Sequence, residues 1–331
     1  MSEIDGKTIL VTGGCGFIGA HVVRALLKHG ATVIAYDDFS SLHSHVMQGA
    51  RIVKGDILDK DALRDVMSGV DMVSHQAAIL NMFDGIKDKV HELNVNTVGT
   101  INILDAALDA GVEKFIYASS CGMYGNSTYL PQDEGHPKNP AWPYGITKYA
   151  GELYCQLYTR LHGLPTVSLR YSEVYGPGEW YGRVMTLFIK RVLEGKPPVI
   201  FGEGKVLRDY VYIDDIVDAN LLAIQNDEVN GMAFNIGGPE PLSAMKIAEL
   251  VLSVTGSELV PVIDDPEPGS SSKYQPGRPR LVQELNDFVL DSSLAKERMK
   301  WEPKIFPREG ITREIEWIRE NPDAWNIQPR V

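Results

Sequence analysis

The sequence predicts an α/β fold, in which a doubly wound parallel sheet is joined to a smaller α/β lobe near the C-terminus. Short apolar runs alternate with stretches whose apolar residues recur at helical spacing, which is the pattern of βαβ units. The first apolar run, residues 7–12, ends in a glycine-rich turn that opens a helical pattern at 17–28. The 331 residues are enough for about two domains of ~150 residues each. Together these observations favour a Rossmann-type arrangement.

The elements after the first helix repeat this alternation. The strand-like runs are residues 31–36, 51–53, 71–75, 114–119, 165–171 and 232–237. The helical patterns are residues 97–111, 148–161, 184–195, 214–225, 242–255, 292–300 and 308–320. We also expect helix-like stretches directly before the runs at 51–53 and 71–75. Residues 1–174 plus 212–238 are expected to form the sheet domain, and residues 175–211 plus 239–331 the smaller lobe.

Charge and composition disfavour several classes of protein. The chain has 32 Lys and Arg against 44 Asp and Glu, whereas nucleic-acid binding depends mostly on cations that neutralise phosphates. The apolar runs are shorter than the ~18 residues that a membrane span needs. Three cysteines and eight histidines show neither a disulfide framework nor metal-ligand spacing. We therefore expect a cytoplasmic protein that has no metal, nucleic-acid or membrane partner.

The segment TGGCGFIG, residues 12–19, has the clearest chemistry. Its glycines Gly13, Gly16 and Gly19 fit the spacing of a dinucleotide-binding turn, where the backbone approaches a pyrophosphate closely. Phe17 and Ile18 open the following helix, whose free N–H groups and dipole attract phosphate. The alternative is a purely structural glycine turn, which the flanking strand and helix disfavour.

Acidic residues follow the next two strands. Asp37 lies 18 residues after Gly19, where a carboxylate can bond ribose hydroxyls and would repel a 2′-phosphate. This position predicts NAD rather than NADP. Asp38 is adjacent, and Asp56 is placed to bond the adenine amino group. The alternatives are an ordinary turn for Asp37 and Asp38, and a helix cap for Asp56.

Tyr144 and Lys148 are four residues apart, so on a helix they share one face. Free tyrosine has a pKa near ~10, and a neighbouring ammonium favours its phenolate form. The pair can therefore act as a general base toward a hydroxyl. Ser119 and Ser120 end a predicted strand at the sheet edge that binds ligands, and we expect the Ser120 hydroxyl to bridge substrate and Tyr144. Surface positions for the pair, and small residues that merely end a strand, are the alternatives.

The order of the motifs resembles a known family across nearly the whole chain. The motifs are TGGCGFIG (12–19), DD (37–38), GDI (55–57), HQAA (75–78), NTVGT (96–100), ASSCGMYG (118–125), YGITK (144–148), LRYSEVYGPG (169–178), RDYVYIDD (208–215) and NIGG (235–238). They resemble the extended short-chain dehydrogenase/reductase superfamily, in its NAD-dependent nucleotide-sugar epimerase/dehydratase branch, and look most like UDP-glucose 4-epimerases.

The resemblance implies a 4-epimerase that oxidises the sugar transiently at C4 and returns the hydride to the other face. It makes Ser120 the catalytic Ser/Thr, Tyr144 the base and Lys148 the partner of the nicotinamide ribose. It makes the smaller lobe the nucleotide-sugar lobe and implies a homodimer through helices 97–110 and 147–161. Further NAD contacts are expected from Ile57, Ala77, Ala78, Asn96, Tyr171 and Val174. Substrate contacts are expected from Leu80, Cys121, Glu173, Val199, Phe201, Arg208 and Arg278, with the two arginines on the diphosphate.

Three positions depart from the family pattern. Cys121 and Gly122 stand where the dehydratases carry an Asp-Glu pair, which argues against a 4,6-dehydratase. Glu173 replaces the usual Asn; it can meet sugar hydroxyls, an amino-sugar cation or Arg183, act as a second acid/base, or point away from the ligand. Leu80 replaces a polar residue near the nicotinamide.

These departures leave other functions open. The first is a nucleotide-sugar dehydratase or 3,5-epimerase that uses Glu173 or Cys121. The second is a reductase or dehydrogenase for a non-sugar substrate, which two phosphate-binding arginines would not suit. The third is an inactive NAD-binding regulatory protein, which an intact Ser120, Tyr144 and Lys148 would not suit.

Overall fold

The structure, a computed structural model, describes residues 4–41, 44–80, 82–179, 182–280 and 285–322, without the side chains of residues 82–84 and 276–279. Its strands are β1 (Thr8–Thr12), β2 (Thr32–Asp37), β3 (Arg51–Lys54), β4 (Met72–His75), β5 (Lys114–Ser120), β6 (Thr166–Tyr171), β7 (Glu173–Tyr175), β8 (Val199–Phe201), β9 (Leu207–Tyr212), β10 (Ala233–Ile236), β11 (Pro241–Ser243), β12 (Val262–Asp264), β13 (Ser271–Ser272) and β14 (Gln275–Pro279).

The α-helices are α1 (Phe17–Lys28), α2 (Lys60–Met67), α3 (Met82–Lys87), α4 (Lys89–Leu93), α5 (Thr100–Asp109), α6 (Pro143–His162), α7 (Val184–Leu193), α8 (Ile213–Ile224), α9 (Ala244–Thr255), α10 (Ser293–Met299) and α11 (Pro307–Glu320). A π-helix, Asn94–Gly99, joins α4 to α5.

The main sheet has seven parallel strands in the order β3-β2-β1-β4-β5-β6-β10. The chain reverses its direction of winding between β1 and β4, and such a switch point forms a ligand crevice at the carboxyl ends of the strands. The predicted fold class, a doubly wound parallel sheet of Rossmann type, is confirmed.

Both faces of this sheet are buried under helices. Ile9 and Val11 of β1 pack with Val23 of α1 on one face, and Leu10 packs with Ile103 of α5 on the other. This alternation follows from the two-residue period of a strand, and burial on both faces explains why the strands are apolar throughout. The packed sheet is a fixed support for the residues at its carboxyl edge.

The connection between β2 and β3 differs from the prediction. Its described residues, 38–41 and 44–50, contain no helix, so the helix-like stretch expected before residue 51 is wrong. The segment is held by tertiary contacts instead: the His45 amide donates to the Cys15 carbonyl at 2.7 Å, and Met47 packs on the core beside α1. It therefore lies against the glycine turn.

The C-terminal part of the chain adds small sheets and helices to this frame. β7 pairs with β9, and β11 completes a three-stranded sheet, while β10 joins the main sheet beside β6. The buried Trp301 donates from its indole nitrogen to the Asp215 carbonyl at 2.8 Å, which ties the C-terminal segment to α8. The predicted domain boundaries stay a prediction. Across the described ranges, every helix is too short or too polar to cross a membrane.

Candidate active site

A cavity of about 560 Å³ opens at the carboxyl edge of the main sheet. It runs from the glycine turn after β1 to the start of β7, so it crosses the switch point between β1 and β4. Predicted site residues that line it are Gly13, Gly16, Phe17, Ile18, Gly19, Asp37, Asp38, Asp56, Ile57, Ala77, Ala78, Leu80, Ser120, Cys121, Tyr144, Lys148, Tyr171, Glu173 and Val174.

The glycine turn forms one end of the cavity. Gly13 has a φ of +63°, and a Cβ there would lie 2.8 Å from the backbone of Ala77. A Cβ on Gly19 would lie 2.0 Å from the Gly13 carbonyl oxygen. Since only glycine fits at both positions, the turn stays tight and α1 begins directly at the cavity wall. This geometry is the cradle that a pyrophosphate requires.

Asp37 fixes this turn and lines the cavity. Its carboxylate accepts from the Cys15 amide and from the Phe39 amide, both at 2.9 Å. Burial raises the pKa of Asp37, while these hydrogen bonds oppose the rise. Asp38 and Asp56 each accept from a backbone amide two residues ahead and line the same end of the cavity. Three carboxyl groups at the ends of β2 and β3 thus face the region where an adenosine would lie.

Tyr144, Lys148 and Ser120 all line this cavity. Tyr144 and Lys148 project from the first turns of α6, which starts at Pro143, five residues earlier than the sequence pattern predicts. The Lys148 nitrogen lies 4.3 Å from the centre of the Tyr117 ring, and burial lowers the Lys148 pKa to about 7. The Ser120 hydroxyl accepts from the Gly122 amide at 3.1 Å, which fixes its position at the end of β5.

A buried histidine, His75, connects the segments that carry this region. His75 contacts the Thr12 hydroxyl through Nδ1 at 2.6 Å and the Thr100 hydroxyl through Nε2 at 3.0 Å. Burial lowers its pKa to about 3, and the charge of Lys148 acts in the same direction. His75 is therefore neutral at physiological pH, and it links β1, β4 and α5 without competing for the proton of the site.

A second polar layer behind the site is missing from the sequence prediction. Glu152 accepts from the Ser119 hydroxyl at 2.7 Å and pairs with Arg170 at 2.7 Å. Arg170 in turn donates to the Tyr124 hydroxyl at 2.7 Å. The available signal was charge at positions that the helix and strand patterns make buried: Glu152 lies one turn after Lys148, and Arg170 lies inside a strand-like run. These contacts position the end of β5 beside α6.

The far end of the cavity carries an ion pair. The Glu173 carboxylate lies 3.1 Å from the Arg183 guanidinium, and both side chains are partly exposed. Cys121 lies nearby, and burial together with the charge of Glu173 raises the pKa of its thiol well above the ordinary value. A thiol held in its protonated form is a poor base, so the geometry does not favour Cys121 as a second acid/base.

Several predicted residues do not line the cavity. The Asn96 side chain accepts from the Ile79 amide at 2.8 Å and donates to the Ile79 carbonyl at 2.9 Å. Asn96 thus supports the segment that lines the cavity. Arg208 donates to the carbonyls of Leu207, Asn286 and Leu285 at 2.8–2.9 Å. Val199 and Phe201 lie on β8, which pairs with β12. The side chain of Arg278 lies outside the described residues. The substrate contacts assigned to these four residues of the lobe stay predictions.

The residues present fit NAD. The glycine cradle leaves room for a pyrophosphate, and the Asp37 carboxylate disfavours a 2′-phosphate. Lys148 and Tyr144 lie further along the same cavity, where the nicotinamide would reach. In the described part of the chain, no group of three or more side chains could hold a metal ion. Fold and site therefore define a dinucleotide-dependent enzyme of the short-chain type.

Comparisons with known proteins agree with this class. The family model described as the NAD dependent epimerase/dehydratase family matches residues 9–237. A UDP-glucose 4-epimerase of Mycolicibacterium smegmatis is 34% identical over 324 residues, which cover 94% of this chain and 98% of the relative. The chain belongs to the NAD dependent epimerase/dehydratase family, and its cofactor is NAD.

Solved structures give the same result. The UDP-glucose 4-epimerase of Thermotoga maritima, solved with UDP-glucose, superposes with a TM-score of 0.86 at 34% identity, covering 95% of this chain and 99% of that chain. A dTDP-glucose 4,6-dehydratase of Streptomyces venezuelae, solved with NAD, superposes with a TM-score of 0.83 at 26% identity, covering 96% and 99%. The family therefore includes both epimerases and dehydratases of similar shape.

Proposed function

We propose that this protein is an NAD-dependent nucleotide-sugar 4-epimerase that acts on a UDP-hexose or a UDP-hexose derivative. The observation that carries the proposal is the set Ser120, Tyr144 and Lys148 beside a glycine cradle, in a cavity where Cys121 and Gly122 occupy the dehydratase acid positions. The similarity to UDP-glucose 4-epimerases over almost the whole chain supports it.

The chemistry that NAD supplies when bound is reversible uptake of a hydride from the sugar carbon. Tyr144 acts as the general base that takes the C4 hydroxyl proton and later returns it. Lys148 favours the phenolate of Tyr144 when its ammonium is charged, and its lowered pKa of about 7 lets it exchange a proton near neutrality. Ser120 donates a hydrogen bond to the C4 oxygen and keeps it within reach of Tyr144.

The packing also shields Lys148 from water. Lys148 is buried against Tyr117, and Leu80 and Leu187 line the cavity wall. A dry site strengthens the interaction between Lys148 and the phenolate. Inversion requires the 4-keto sugar to turn within this cavity while the nucleotide stays in place, since the hydride must return to the opposite face.

Proton NMR of the protein with NAD and UDP-, dTDP- and GDP-sugars in D2O tests the proposal. The expected result is inversion at C4 of a UDP-sugar without deuterium uptake at C3 or C5. Deuterium at those carbons, or a new ketone or alkene signal, would contradict it in favour of a dehydratase or 3,5-epimerase that uses Glu173 or Cys121. NAD binding with no turnover of any sugar would support the regulatory alternative.

We also propose that two copies pair through helices 97–110 and 147–161, which correspond in the structure to the π-helix with α5 and to most of α6. Val90 and Leu93 before the π-helix, and Ile146, Leu153 and Leu161 on α6, are exposed apolar side chains. α4 and α6 are in contact, and exposed apolar side chains on neighbouring helices are typical of an interface. Sedimentation of the protein and of Leu153→Glu tests the dimer: wild type should sediment as a dimer and the variant as a monomer.

The three described free cysteines support a cytoplasmic setting.

A further inference from the structure

The Glu173–Arg183 pair lines the same cavity as the glycine turn and Tyr144. Glu173 opens β7, and Arg183 is the residue directly before α7, so two separate segments bring the charges to 3.1 Å. Both side chains line the cavity that contains Tyr144 and Ser120. Their side chains remain 38% and 28% exposed, which leaves both groups accessible to a ligand in that cavity.

The position of the pair relative to the reacting atoms follows from the strand register. Ser120 of β5 lies opposite Tyr171 of β6, and Glu173 comes two residues after Tyr171. The charges of Glu173 and Arg183 both act on the thiol of Cys121, the residue next to Ser120. Since Ser120 is the residue expected to bond the C4 hydroxyl, we infer that the pair lies beside the sugar.

The pair has no net charge but keeps its hydrogen-bonding capacity. A sugar hydroxyl or an amide substituent can accept from Arg183 or donate to Glu173, and neither contact leaves a charge unmatched. An ionised sugar carboxylate would have to share Arg183 with Glu173, which places two like charges beside one cation. Among the described residues lining the cavity, the remaining cationic side chain besides Arg183 is Lys148, which the reaction uses.

We propose that Glu173 sets the substrate class by neutralising Arg183: uncharged nucleotide hexoses and N-acetylhexosamines are accepted, and nucleotide hexuronates are rejected. This inference rests on the proposed function and deepens it. It also assigns a role to the departure from the family pattern at residue 173, since an Asn there would leave Arg183 as a cation available to a sugar carboxylate.

The test compares UDP-glucose with UDP-glucuronate in four NAD-loaded proteins: wild type, Glu173→Gln, Arg183→Gln and the double variant. The readouts are kcat/KM for C4 inversion by NMR and Kd by calorimetry. Wild type should favour UDP-glucose by about 100-fold or more. Glu173→Gln should raise the relative preference for UDP-glucuronate by at least about tenfold, or ~1.4 kcal/mol. Arg183→Gln should increase the preference for UDP-glucose over UDP-glucuronate. The double variant should not show the improved relative use of UDP-glucuronate that Glu173→Gln shows.

The matched control is Glu194→Gln. The Glu194 carboxylate forms an ion pair with Lys196 at 2.9 Å, and neither residue lines the cavity. This variant should leave the ratio of the two sugars unchanged. Equal use of both sugars by wild type would overturn the inference, as would an unchanged ratio in a Glu173→Gln protein that still binds NAD. Absence of C4 inversion on every sugar would overturn the proposed function instead, and the Kd ratios would still decide the inference.

Discussion

The two ends of the cavity are built differently. At the glycine turn of the dinucleotide end the binding surface is backbone: the turn at Gly13 and Gly19, the start of α1 and the carboxyl edge of β1. At the sugar end it is mainly side chains, and Glu173 and Arg183 reach it from separate segments. The first surface is fixed by a short continuous motif, whereas the second depends on how distant segments pack.

This difference leads us to expect that relatives named for different nucleotide sugars share the cofactor end and differ at the sugar end. A backbone cradle tolerates few substitutions, since a Cβ would fill it. Side chains at the sugar end can be exchanged without disturbing the sheet. Specificity in this protein is therefore expected to lie in residues such as Glu173, and cofactor binding in the turn after β1.

Removal of the Tyr144 hydroxyl should have the largest effect: turnover should be lost while NAD still binds. We expect Tyr144→Phe to lower kcat by about 10³-fold or more, which corresponds to ~4 kcal/mol, because no base then takes the C4 proton. NAD affinity should stay within about threefold of wild type, since the dinucleotide end is unchanged. Turnover by NMR and NAD titration by fluorescence measure the two effects. Activity close to wild type would remove Tyr144 from the mechanism.

A methyl group at Gly19 should disrupt the dinucleotide end. Its Cβ would lie 2.0 Å from the Gly13 carbonyl, so the turn or α1 must move. We expect Gly19→Ala to weaken NAD binding by about 100-fold, or ~3 kcal/mol. Gly135→Ala is the control, because its Cβ would meet only the side chain of Asp133, at 3.2 Å. If both variants bound NAD as wild type does, a backbone cradle would not explain cofactor binding.

Asp37 tests whether a side chain contributes at the dinucleotide end. Asp37→Ala removes the acceptor of the Cys15 and Phe39 amides as well as the expected ribose contact. We expect NAD affinity to fall by about 10- to 50-fold, or ~1.4–2.3 kcal/mol, and the preference over NADP to shrink. Titration with both dinucleotides measures this. The exposed Asp61→Ala is the control, and an equal response from both variants would argue against a specific role for Asp37.

The smallest expected effect is on stability, and it concerns two buried carboxyl groups, Glu314 and Glu179. Glu314 of α11 faces Glu179, and the Thr186 hydroxyl lies within hydrogen-bond distance of both carboxyl groups. Burial raises the pKa of Glu314 to about 8, with the charge of Glu179 acting in the same direction. An unfolded glutamate has a pKa near ~4.3, so between that value and about 8 the folded state holds more protons. Stability should therefore fall as pH rises through this window.

Glu314→Gln removes that dependence. We expect the free energy of unfolding to rise by ~1–2 kcal/mol at pH 8, with little change near pH 4, where both states are protonated. Urea unfolding at the two pH values measures it. Glu316→Gln, an exposed position on the same helix, should have no such effect. A lower stability of Glu314→Gln at pH 8 would mean that the carboxylate itself is needed there.

The features that the sequence predicts are those set by a short continuous segment, and the features it does not predict depend on packing between distant segments. The seven strands of the main sheet, the glycine turn and the Tyr144–Lys148 pair lie in local patterns, and the structure places them within a few residues of the prediction. The β2–β3 connection could not be predicted, because tertiary contacts near Cys15 rather than local propensity hold it. Glu152 and Arg170 were missed for a related reason: only packing reveals that two distant charges share one buried site.

The most direct test of the central claim uses UDP-glucose that carries deuterium at C4, incubated with the protein and NAD in ordinary water. If hydride leaves C4 and returns to the same carbon inside one cavity, the UDP-galactose formed retains deuterium at C4, and a parallel reaction of unlabelled UDP-glucose in D2O gains no deuterium at C3 or C5. Loss of the C4 label to solvent or to added NAD, or exchange at C5, would contradict a 4-epimerase that works through Tyr144 and Lys148.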